Sequence, residues 1–220
     1  NGATFTAKQL DNLPTGRNLD SIIQLAPNTA PADPRYKGAS FGGGAASENA
    51  YYINGFPVVS AWKQLGASEL PFGAIEQAQV LTGGFGAEFG RSIGGVVNII
   101  TKSGSNDWVA GGRVAWAPNS LRATQRDILY PVTGKPEGAS TDGTMYRRYS
   151  DREVDRKAVG VYAGGPLIEN RLFAFVAAEQ ERTGLGETRI PTSGTAQDRW
   201  GWRDADDATT RYVGKCDWNL

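Results

Sequence analysis

Six glycines lie close together between residues 83 and 95, and a glycine-rich loop of this kind could bind a phosphate. Glycine allows the backbone to approach a ligand closely, and glycine-rich loops hold phosphates where a following helix presents its N-terminus. No Gly-Lys-Ser/Thr ending is present here, and no amphipathic helix follows. A phosphate loop and an ordinary loop in a β-rich domain are both open interpretations. The glycines are Gly83, Gly84, Gly86, Gly90, Gly94 and Gly95.

The remaining inventory excludes the common catalytic and metal sites. The chain has no histidine and a single cysteine, Cys216, so a Ser-His-Asp triad, a Cys-His pair and a His/Cys zinc site are ruled out. Its 23 basic and 23 acidic residues balance, so no basic face indicates nucleic acid. Carboxylates are plentiful, but no spacing pairs two of them for acid-base work. We therefore predict no enzyme activity, no cofactor, no metal site and no nucleic-acid partner.

The elements around the glycines are predicted to be strands. Residues 75–81 alternate between two faces, and residues 96–100 form a β-branched run closed by Lys102-Ser103-Gly104. The glycine density makes a continuous helix between them unfavourable. Residues 74–104 are thus predicted to be a strand, a loop and a strand. We interpret this stretch as a hinge between two domains.

The residues before the hinge predict short, mixed elements. Thr4 and Thr6 could cap a first helical segment. The apolar residues of 19–26 have helical spacing, with Asn18 as N-cap and Pro27 as a stop. A short strand is expected near Phe41. Asn54-Gly55 between two apolar runs predicts a β-hairpin.

The residues after the hinge alternate over longer distances. Trp108 and Trp116 share the apolar face of one predicted strand, about 26 Å apart along it, or about 20 Å along a membrane normal at a tilt of about 40°. This is close to the separation of two aromatic girdles, although a soluble sandwich would bury the same face. Further strands are predicted over 157–164, 172–181 and 211–218. Residues 172–181 start apolar on both faces and do not reveal their orientation.

The connections between these strands alternate in length. Residues 118–155 and 183–208 are long and polar, whereas residues 164–171 form a short turn. Long extracellular loops and short periplasmic turns are typical of outer-membrane barrels, and soluble sandwiches rarely have two such long connections at one end. No run of 18 apolar residues that would predict a transmembrane helix occurs.

Three motifs resemble one family. Residues 82–102, TGGFGAEFGRSIGGVVNIITK, resemble the end of the plug domain of TonB-dependent outer-membrane receptors, where the chain passes from plug to barrel. LPTGRNLDSIIQLAPN resembles the opening helix of such plugs. ENAYYINGF resembles a plug segment in which many receptors carry Asp-Gly, so Asn54 is a mild departure. Together with GGPLIENRLFAFVAAEQ, these motifs look most like the Oar-like receptors.

The resemblance implies a mainly β protein with a small α+β N-terminal plug, followed by part of a transmembrane antiparallel β-barrel. The plug would comprise residues 1–104, and residues 105–220 would hold the first barrel strands with two extracellular loops. Barrels of this family have roughly 22 strands, of which about four are predicted here, so the chain is expected to be a fragment. The TonB-contacting segment is expected to lie outside it.

The resemblance also implies a function: import of an extracellular ligand through the plugged barrel, driven by TonB and its inner-membrane energising complex. The location would be the outer membrane of a Gram-negative bacterium, in contact with its lipid. Peptide, glycan and metal-chelate ligands all stay open. An adhesion or assembly protein on the same scaffold, without nutrient import, is the alternative. A soluble β-rich binding module is a third interpretation.

The resemblance assigns expected roles to four groups of residues. The charged face formed by Arg113, Arg211, Lys215 and Asp217 is expected to line the lumen and meet the plug. The candidates for contact with ligand at the plug apices are Tyr36, Ser47, Trp62 and Lys63. The candidates for contact between plug and barrel are Arg17, Glu88 and Arg91. The candidates for the membrane girdles are Trp108, Trp116, Tyr212 and Trp218.

Overall fold

The fold is taken from a computed structural model, which describes residues 2–13, 18–31, 38–58, 69–86, 89–90, 92–130, 132, 143–189 and 201–219. Two short helices are α1 (Ala7–Asn12) and α2 (Leu19–Ile23), and single 3-10 turns occupy Ala46–Glu48, Phe72–Ala74 and Asn119–Leu121. The strands are β1 (Gly2–Thr6), β2 (Thr29–Pro31), β3 (Ala39–Phe41), β4 (Ala50–Ile53), β5 (Phe56–Pro57), β6 (Ile75–Leu81), β7 (Val96–Thr101), β8 (Val109–Ala117), β9 (Ile128–Leu129), β10 (Met145–Arg147), β11 (Glu153–Ile168), β12 (Leu172–Arg189) and β13 (Gly201–Trp218).

Both helices begin at the caps that the sequence offers. Thr6 caps α1 in a capping box with Gln9, so each side chain accepts a backbone N–H from the other residue. Asn18 caps α2, and its carboxamide accepts the Ser21 N–H at 2.8 Å. The predicted helix over 19–26 is confirmed in type, but it ends at Ile23. Five residues cannot form a stable helix alone, so burial of Ile22 and Ile23 must hold it in place.

The first part of the chain is built on a five-stranded sheet with the order β1-β6-β7-β4-β5. β6 pairs antiparallel with both β1 and β7, whereas β4 pairs parallel with β7. The predicted strand, loop and strand over 74–104 are therefore confirmed. One face of the sheet and the two helices enclose an apolar core that includes Leu10, Ile22, Ile23, Tyr51, Val80 and Val97.

The predicted hairpin at Asn54-Gly55 is confirmed. Asn54 has φ 51° and Gly55 has φ 83°, the left-handed conformations that join β4 to β5 in a two-residue turn. The Asn54 side chain also accepts the Thr101 N–H at 2.9 Å and donates to the Thr101 hydroxyl. Asparagine thus preserves the turn and ties it to the end of β7.

Gly94 and Gly95 are explained by packing inside the N-terminal part. A Cβ on Gly95 would lie 2.2 Å from Cδ1 of Phe41, and one on Gly94 would lie 2.5 Å from Oδ1 of Asn49. The neighbours of both glycines belong to the N-terminal part itself. Gly104 is the glycine of this stretch that lies against the later strands, at Ala174 and Gly165.

Asn49 joins three parts of this loop region. Its side chain is 4% exposed, donates to the Ala39 carbonyl at 2.7 Å and accepts the Gly95 N–H at 3.1 Å. Asn49→Ala is expected to destabilise the N-terminal part by about 2–4 kcal/mol, because two buried backbone groups lose their partners at about 1–3 kcal/mol each. Hydrogen exchange of peptides covering 39–41 and 92–98 in the full-length protein measures this loss. Asn106→Ala, at an exposed site, is the control, and equal exchange in the two variants would contradict the assignment.

The later strands form a second sheet with the order β13-β12-β11-β8. The four predicted strands are present, and the three-residue connection at 169–171 makes β11 and β12 an antiparallel hairpin. The predicted loop over 183–208 is wrong at both ends, because β12 continues to Arg189 and β13 begins at Gly201. The polar residues 183–189 and 201–208 therefore belong to strands. The predicted loop over 118–155 contains the short pair β9 and β10 and ends where β11 begins at Glu153.

Side-chain burial decides the orientation of β12. Phe173, Phe175, Ala177 and Glu179 are buried, whereas Val176 is 56% exposed. The sequence left the orientation of this strand ambiguous, and the burial of every second residue decides it. In the second half of β13 the odd-numbered positions are half-buried, and the even-numbered positions, including Tyr212 and Trp218, are exposed.

The chain divides into two compact units, each made of several segments. The first contains residues 1–112, 160–179 and 211–220, and the second contains residues 113–159 and 180–210. A division into domains at residue 104 stays a prediction, because this grouping places the five-stranded sheet and parts of β11, β12 and β13 in the same unit. Within the described ranges, no helix is both long enough and apolar enough to cross a membrane.

Candidate functional site

The candidate site lies in the first unit, where Arg211 of β13 joins two carboxylates. Its Nη1 lies 3.2 Å from Oε1 of Glu179 on β12, and its Nη2 contacts Oε2 of Glu69, which precedes the 3-10 turn at 72–74. The Arg211 and Glu179 side chains are only 12% and 8% exposed, whereas Glu69 is 57% exposed. We call Glu69, Glu179 and Arg211 the charged contact. It links the segment before β6 to two of the later strands.

Glu179 also holds the backbone of the N-terminal part. Its Oε2 accepts the Phe72 N–H at 3.2 Å, at the start of the 3-10 turn that leads into β6. A cavity of about 30 Å³ borders the charged contact and is also lined by Asn18, Leu19 and Phe72. Apolar side chains form most of its wall, so the charged groups lie at the edge of the apolar core.

Two lysines extend the contact at the end of β7. Nζ of Lys102 lies 4.1 Å from the centroid of the Tyr162 ring on β11, a cation–π geometry. Nζ of Lys215 on β13 donates to the Ser103 hydroxyl at 2.6 Å. Tyr162 needs room beside Gly111, where a Cβ would lie 2.5 Å from the ring. The residues that end β7 thus contact β11 and β13 through polar groups.

A small apolar cluster separates these polar contacts. Ala74, Phe175 and Ala177 are buried together, with Tyr162 and Val213 packed against them. The alanines are small, so the apolar area is limited. Attachment at this site consequently relies on charge and hydrogen bonds as much as on apolar burial.

The contacts at this site are ion pairs and hydrogen bonds that dock one segment of the chain on another. No nucleophile is paired with a base in the contacts given above. Among the described residues, no group of three or more acidic or cysteine side chains could hold a metal ion. An arginine between two carboxylates can hold two segments together and release them when its hydrogen bonds pass to water.

The residues predicted to join plug and barrel are not among those seen here. Arg17, Glu88 and Arg91 lie outside the described residues, and so do three of the four ligand candidates, Tyr36, Trp62 and Lys63. The fourth, Ser47, is exposed in the 3-10 turn Ala46–Glu48. Its role stays a prediction.

The four aromatic candidates for the girdles are all exposed. Trp108 is 70% exposed, Trp116 64%, Tyr212 82% and Trp218 68%. Large aromatic side chains in this state are placed to contact lipid or a further protein surface. Their assignment to membrane girdles remains a prediction.

Sequence reasoning missed Glu69 and Glu179 at this site. The charged face with Arg211 and Lys215 was expected to meet the N-terminal part, and both residues contact it. Glu179 could have been found as the first charge on the face that carries Phe173, Phe175 and Ala177. Glu69 lies in a polar loop, where no pattern distinguishes it from a solvated carboxylate.

The second unit has a separate clamp in the connection between β8 and β11. The Asp127 carboxylate accepts the N–H groups of Tyr149 and Ser150 at 2.7 and 2.8 Å, and the Ser150 hydroxyl at 3.1 Å. It therefore closes the base of the β9–β10 hairpin. The Ser150 N–H, followed by the Tyr149 N–H, lowers the pKa of Asp127 from its ordinary value of 3.8.

This lowered pKa predicts a pH dependence for the clamp. The folded pKa lies below the unfolded value, so the stabilisation is present above pH 3.8 and is lost as the pH falls through the folded pKa. Peptides covering 143–152 are expected to exchange faster in Asp127→Asn than in wild type at pH 6. The two proteins should converge as the pH falls below 3.8 and passes through the folded pKa. A difference that stays constant with pH would contradict this role of the charge.

Comparisons with known proteins agree with this architecture. Residues 3–96 match the family model described as TonB-dependent Receptor Plug Domain. The chain is 29% identical over 174 residues to the TonB-dependent transporter Oar of Myxococcus xanthus, covering 79% of this chain and 15% of Oar.

Solved structures share the fold. The outer membrane transporter YddB from Escherichia coli matches with a TM-score of 0.66 at 16% identity, covering 99% of this chain and 30% of YddB. A ferric enterobactin receptor mutant (PfeA) from Pseudomonas aeruginosa, in complex with enterobactin, matches with a TM-score of 0.63 at 18% identity, covering 100% of this chain and 31% of that chain. The chain thus spans less than a third of each of these relatives. Residues 3–96 thus match the TonB-dependent receptor plug domain, and the chain as a whole is similar in sequence to Oar and in fold to outer-membrane receptors of this kind.

Proposed function

We propose that this chain is the plug and first barrel strands of a receptor that imports an extracellular ligand with energy from TonB. The charged contact supports the proposal most directly. A plug that must leave its seat in every transport cycle needs an attachment that is specific and also breakable. Arg211 pairs with the buried carboxylate of Glu179 and with the exposed carboxylate of Glu69, and this pairing provides such an attachment.

The energetics of the contact favour reversible docking. A buried ion pair gains Coulomb energy but loses hydration, so its net contribution is small while both partners remain. Removing one partner alone costs several kcal/mol. When the whole plug moves, both partners reach water together and recover hydration, so the barrier to release stays modest. A wholly apolar interface of equal area would not recover free energy in this way.

The remaining parts of the proposal concern the partners and the location. TonB acts on the periplasmic side, and the outer membrane of a Gram-negative bacterium surrounds the strands, with Trp108, Trp116, Tyr212 and Trp218 at its girdles. Ser47 is a candidate for contact with the ligand, and Tyr36, Trp62 and Lys63, which lie outside the described residues, remain candidates from the sequence. The named relatives support transport: Oar is called a transporter, and the PfeA mutant holds enterobactin. For this receptor, peptide, glycan and metal chelate remain the candidate ligands.

A reversible tether between plug and strands tests this function. Ser103→Cys and Lys215→Cys are combined with Cys216→Ser in the full-length receptor and bridged by a bifunctional methanethiosulfonate. The native side chains meet at 2.6 Å, so a short bridge spans the site without moving it. In a strain whose growth needs the receptor, bridging is expected to abolish growth, and a reductant is expected to restore it. Each single cysteine variant treated with the reagent is the control.

Deletion of TonB in the same strain separates transport from the alternative. Growth should fail without TonB, whether or not the tether is present. A phenotype that survives both the tether and the deletion would contradict import and support an adhesion or assembly protein on this scaffold.

A further inference from the structure

An exposed tryptophan is held in a fixed position near the start of β13, in the second unit. Trp202 is 47% exposed, and its Nε1 donates to Oδ1 of Asp204 at 2.8 Å. Gly186 of the neighbouring strand β12 is buried against the ring. A Cβ on Gly186 would overlap Cζ2 of Trp202 and lie 3.0 Å from both Cε2 and Cη2. The indole therefore rests on the backbone of β12, and the rest of its surface is open to solvent.

Two carboxylates lie on the same side of the strands as this ring. Trp202, Asp204 and Asp206 are alternate residues of β13, and such residues share one face of a strand. A Cβ on Gly184 would lie 3.4 Å from Oδ1 of Asp206, so the Asp206 side chain also extends over β12. Both aspartates are exposed. We call Trp202, Asp204 and Asp206 the stacking platform.

The charges on this face of the two strands have both signs. Arg182 lies two positions before Gly184 on β12 and is exposed on the same alternation. Arg203 and Asp207 belong to the other alternation of β13. One positive and two negative groups therefore surround the indole. This mixture favours a neutral ligand whose hydroxyl groups donate hydrogen bonds over a strongly charged one.

A second tryptophan of this unit has a similar partner but a covered ring. Nε1 of Trp116 donates to Oδ2 of Asp155 at 3.3 Å. Nζ of Lys157 lies 5.8 Å from the centroid of the Trp116 ring, within the range of a cation–π contact. The ammonium group competes with any ligand for the face of that ring. Among the described residues, Trp116 is therefore a matched control for Trp202.

We propose that the stacking platform binds a neutral pyranose of a glycan. A pyranose has a flat face of C–H groups that can pack on the indole, whose face is the negative part of its quadrupole. Its hydroxyl groups can donate to the carboxylates, which only accept. Asp204 uses one oxygen for the indole N–H and keeps the other for a ligand. The pyranose can belong to a soluble oligosaccharide or to the head group of a glycolipid. The site does not rest on the proposed import, because binding is measured without TonB.

Titration of the full-length protein in a polyoxyethylene detergent tests the site, because detergents with sugar head groups would compete for it. Maltohexaose and chitohexaose are the soluble probes, and mixed micelles containing digalactosyldiacylglycerol are the glycolipid probe. Calorimetry is expected to show saturable binding of at least one probe. Trp202→Ala is expected to weaken that binding about tenfold or more, because the stacking surface is lost. Trp116→Ala should bind like the wild type.

Gly186→Ala tests the position of the ring without removing it. The added methyl group displaces the indole from β12, so binding is expected to weaken although every contacting group remains. Gly214→Ala adds a methyl group to β13 where a Cβ meets nothing within 4 Å, and it should leave binding unchanged. Binding of the oligosaccharides alone assigns the site to a soluble glycan, and binding of the micelles alone assigns it to a glycolipid.

Three results would overturn the proposal. The first is that none of the probes binds. The second is that Trp116→Ala weakens binding as much as Trp202→Ala does, which would indicate a general effect of exposed aromatic residues. The third is that Gly186→Ala binds as tightly as the wild type. Circular dichroism of each variant shows whether the strands remain folded, so that loss of binding is not confused with loss of structure.

Discussion

Arg211→Gln is expected to loosen the segment before β6 from β12 and β13. The substitution leaves the Glu179 carboxylate, 7% exposed as a residue, without its cation. An uncompensated buried charge costs about 3–5 kcal/mol. Hydrogen exchange of the peptide covering 69–75 in the full-length protein should rise accordingly, because the Phe72 N–H bonds to that carboxylate.

Two further variants sharpen this test. Glu179→Gln should have a smaller effect, because its carboxamide oxygen still accepts the Phe72 N–H and Arg211 keeps Glu69. Arg203→Gln makes the same change at an exposed position of β13 and should leave the exchange unaltered. If Arg211→Gln raised the exchange of this peptide no more than Arg203→Gln does, the charged contact would not hold this segment.

Gly104→Ala is expected to destabilise the protein strongly for a single added methyl group. A Cβ there would lie 2.5 Å from the Ala174 carbonyl oxygen and 2.9 Å from both the Ala174 nitrogen and the Gly165 oxygen. All three atoms belong to backbone, which cannot rotate away as a side chain can. Overpacking of this kind costs about 1–3 kcal/mol, and fixed backbone neighbours place this site at the upper end.

The result is measured as a lower temperature of thermal unfolding and faster exchange over residues 102–107. Gly214→Ala is the matched control, because a Cβ at Gly214 meets nothing within 4 Å. The same loss of stability in both variants would show that chain entropy or strand propensity, and not the close approach at Gly104, is responsible.

Local chemistry allowed much of the plug to be predicted. The caps at Thr6 and Asn18, the turn at Asn54-Gly55 and the strands on both sides of the glycine loop depend on residues within a few positions of one another. Such interactions are visible in a linear pattern. The lengths of β12 and β13 were underestimated. The second half of β12 and the first half of β13 are rich in polar residues, which pattern reasoning assigns to loops.

The candidate site was less predictable, because its members are far apart in the chain. Glu69 and Arg211 are separated by 142 positions, and Phe72 and Glu179 by 107. Of this set, only Arg211 was expected to face the plug, since the alternation of β13 marked its side. A carboxylate in a loop has the same local pattern whether it is solvated or paired, so Glu69 gave no signal.

The sequence by itself determined the kinds of elements, the strand, loop and strand over residues 74–104, and the resemblance of its motifs to the TonB-dependent receptor plug. It also excluded histidine-based catalysis through composition alone. The tertiary structure decided which face of β12 is buried, which glycines have no room for a side chain, and which carboxylates pair with Arg211. The physical reason is that propensity and periodicity act over a few residues, whereas burial and ion pairing depend on neighbours that only the folded chain brings together.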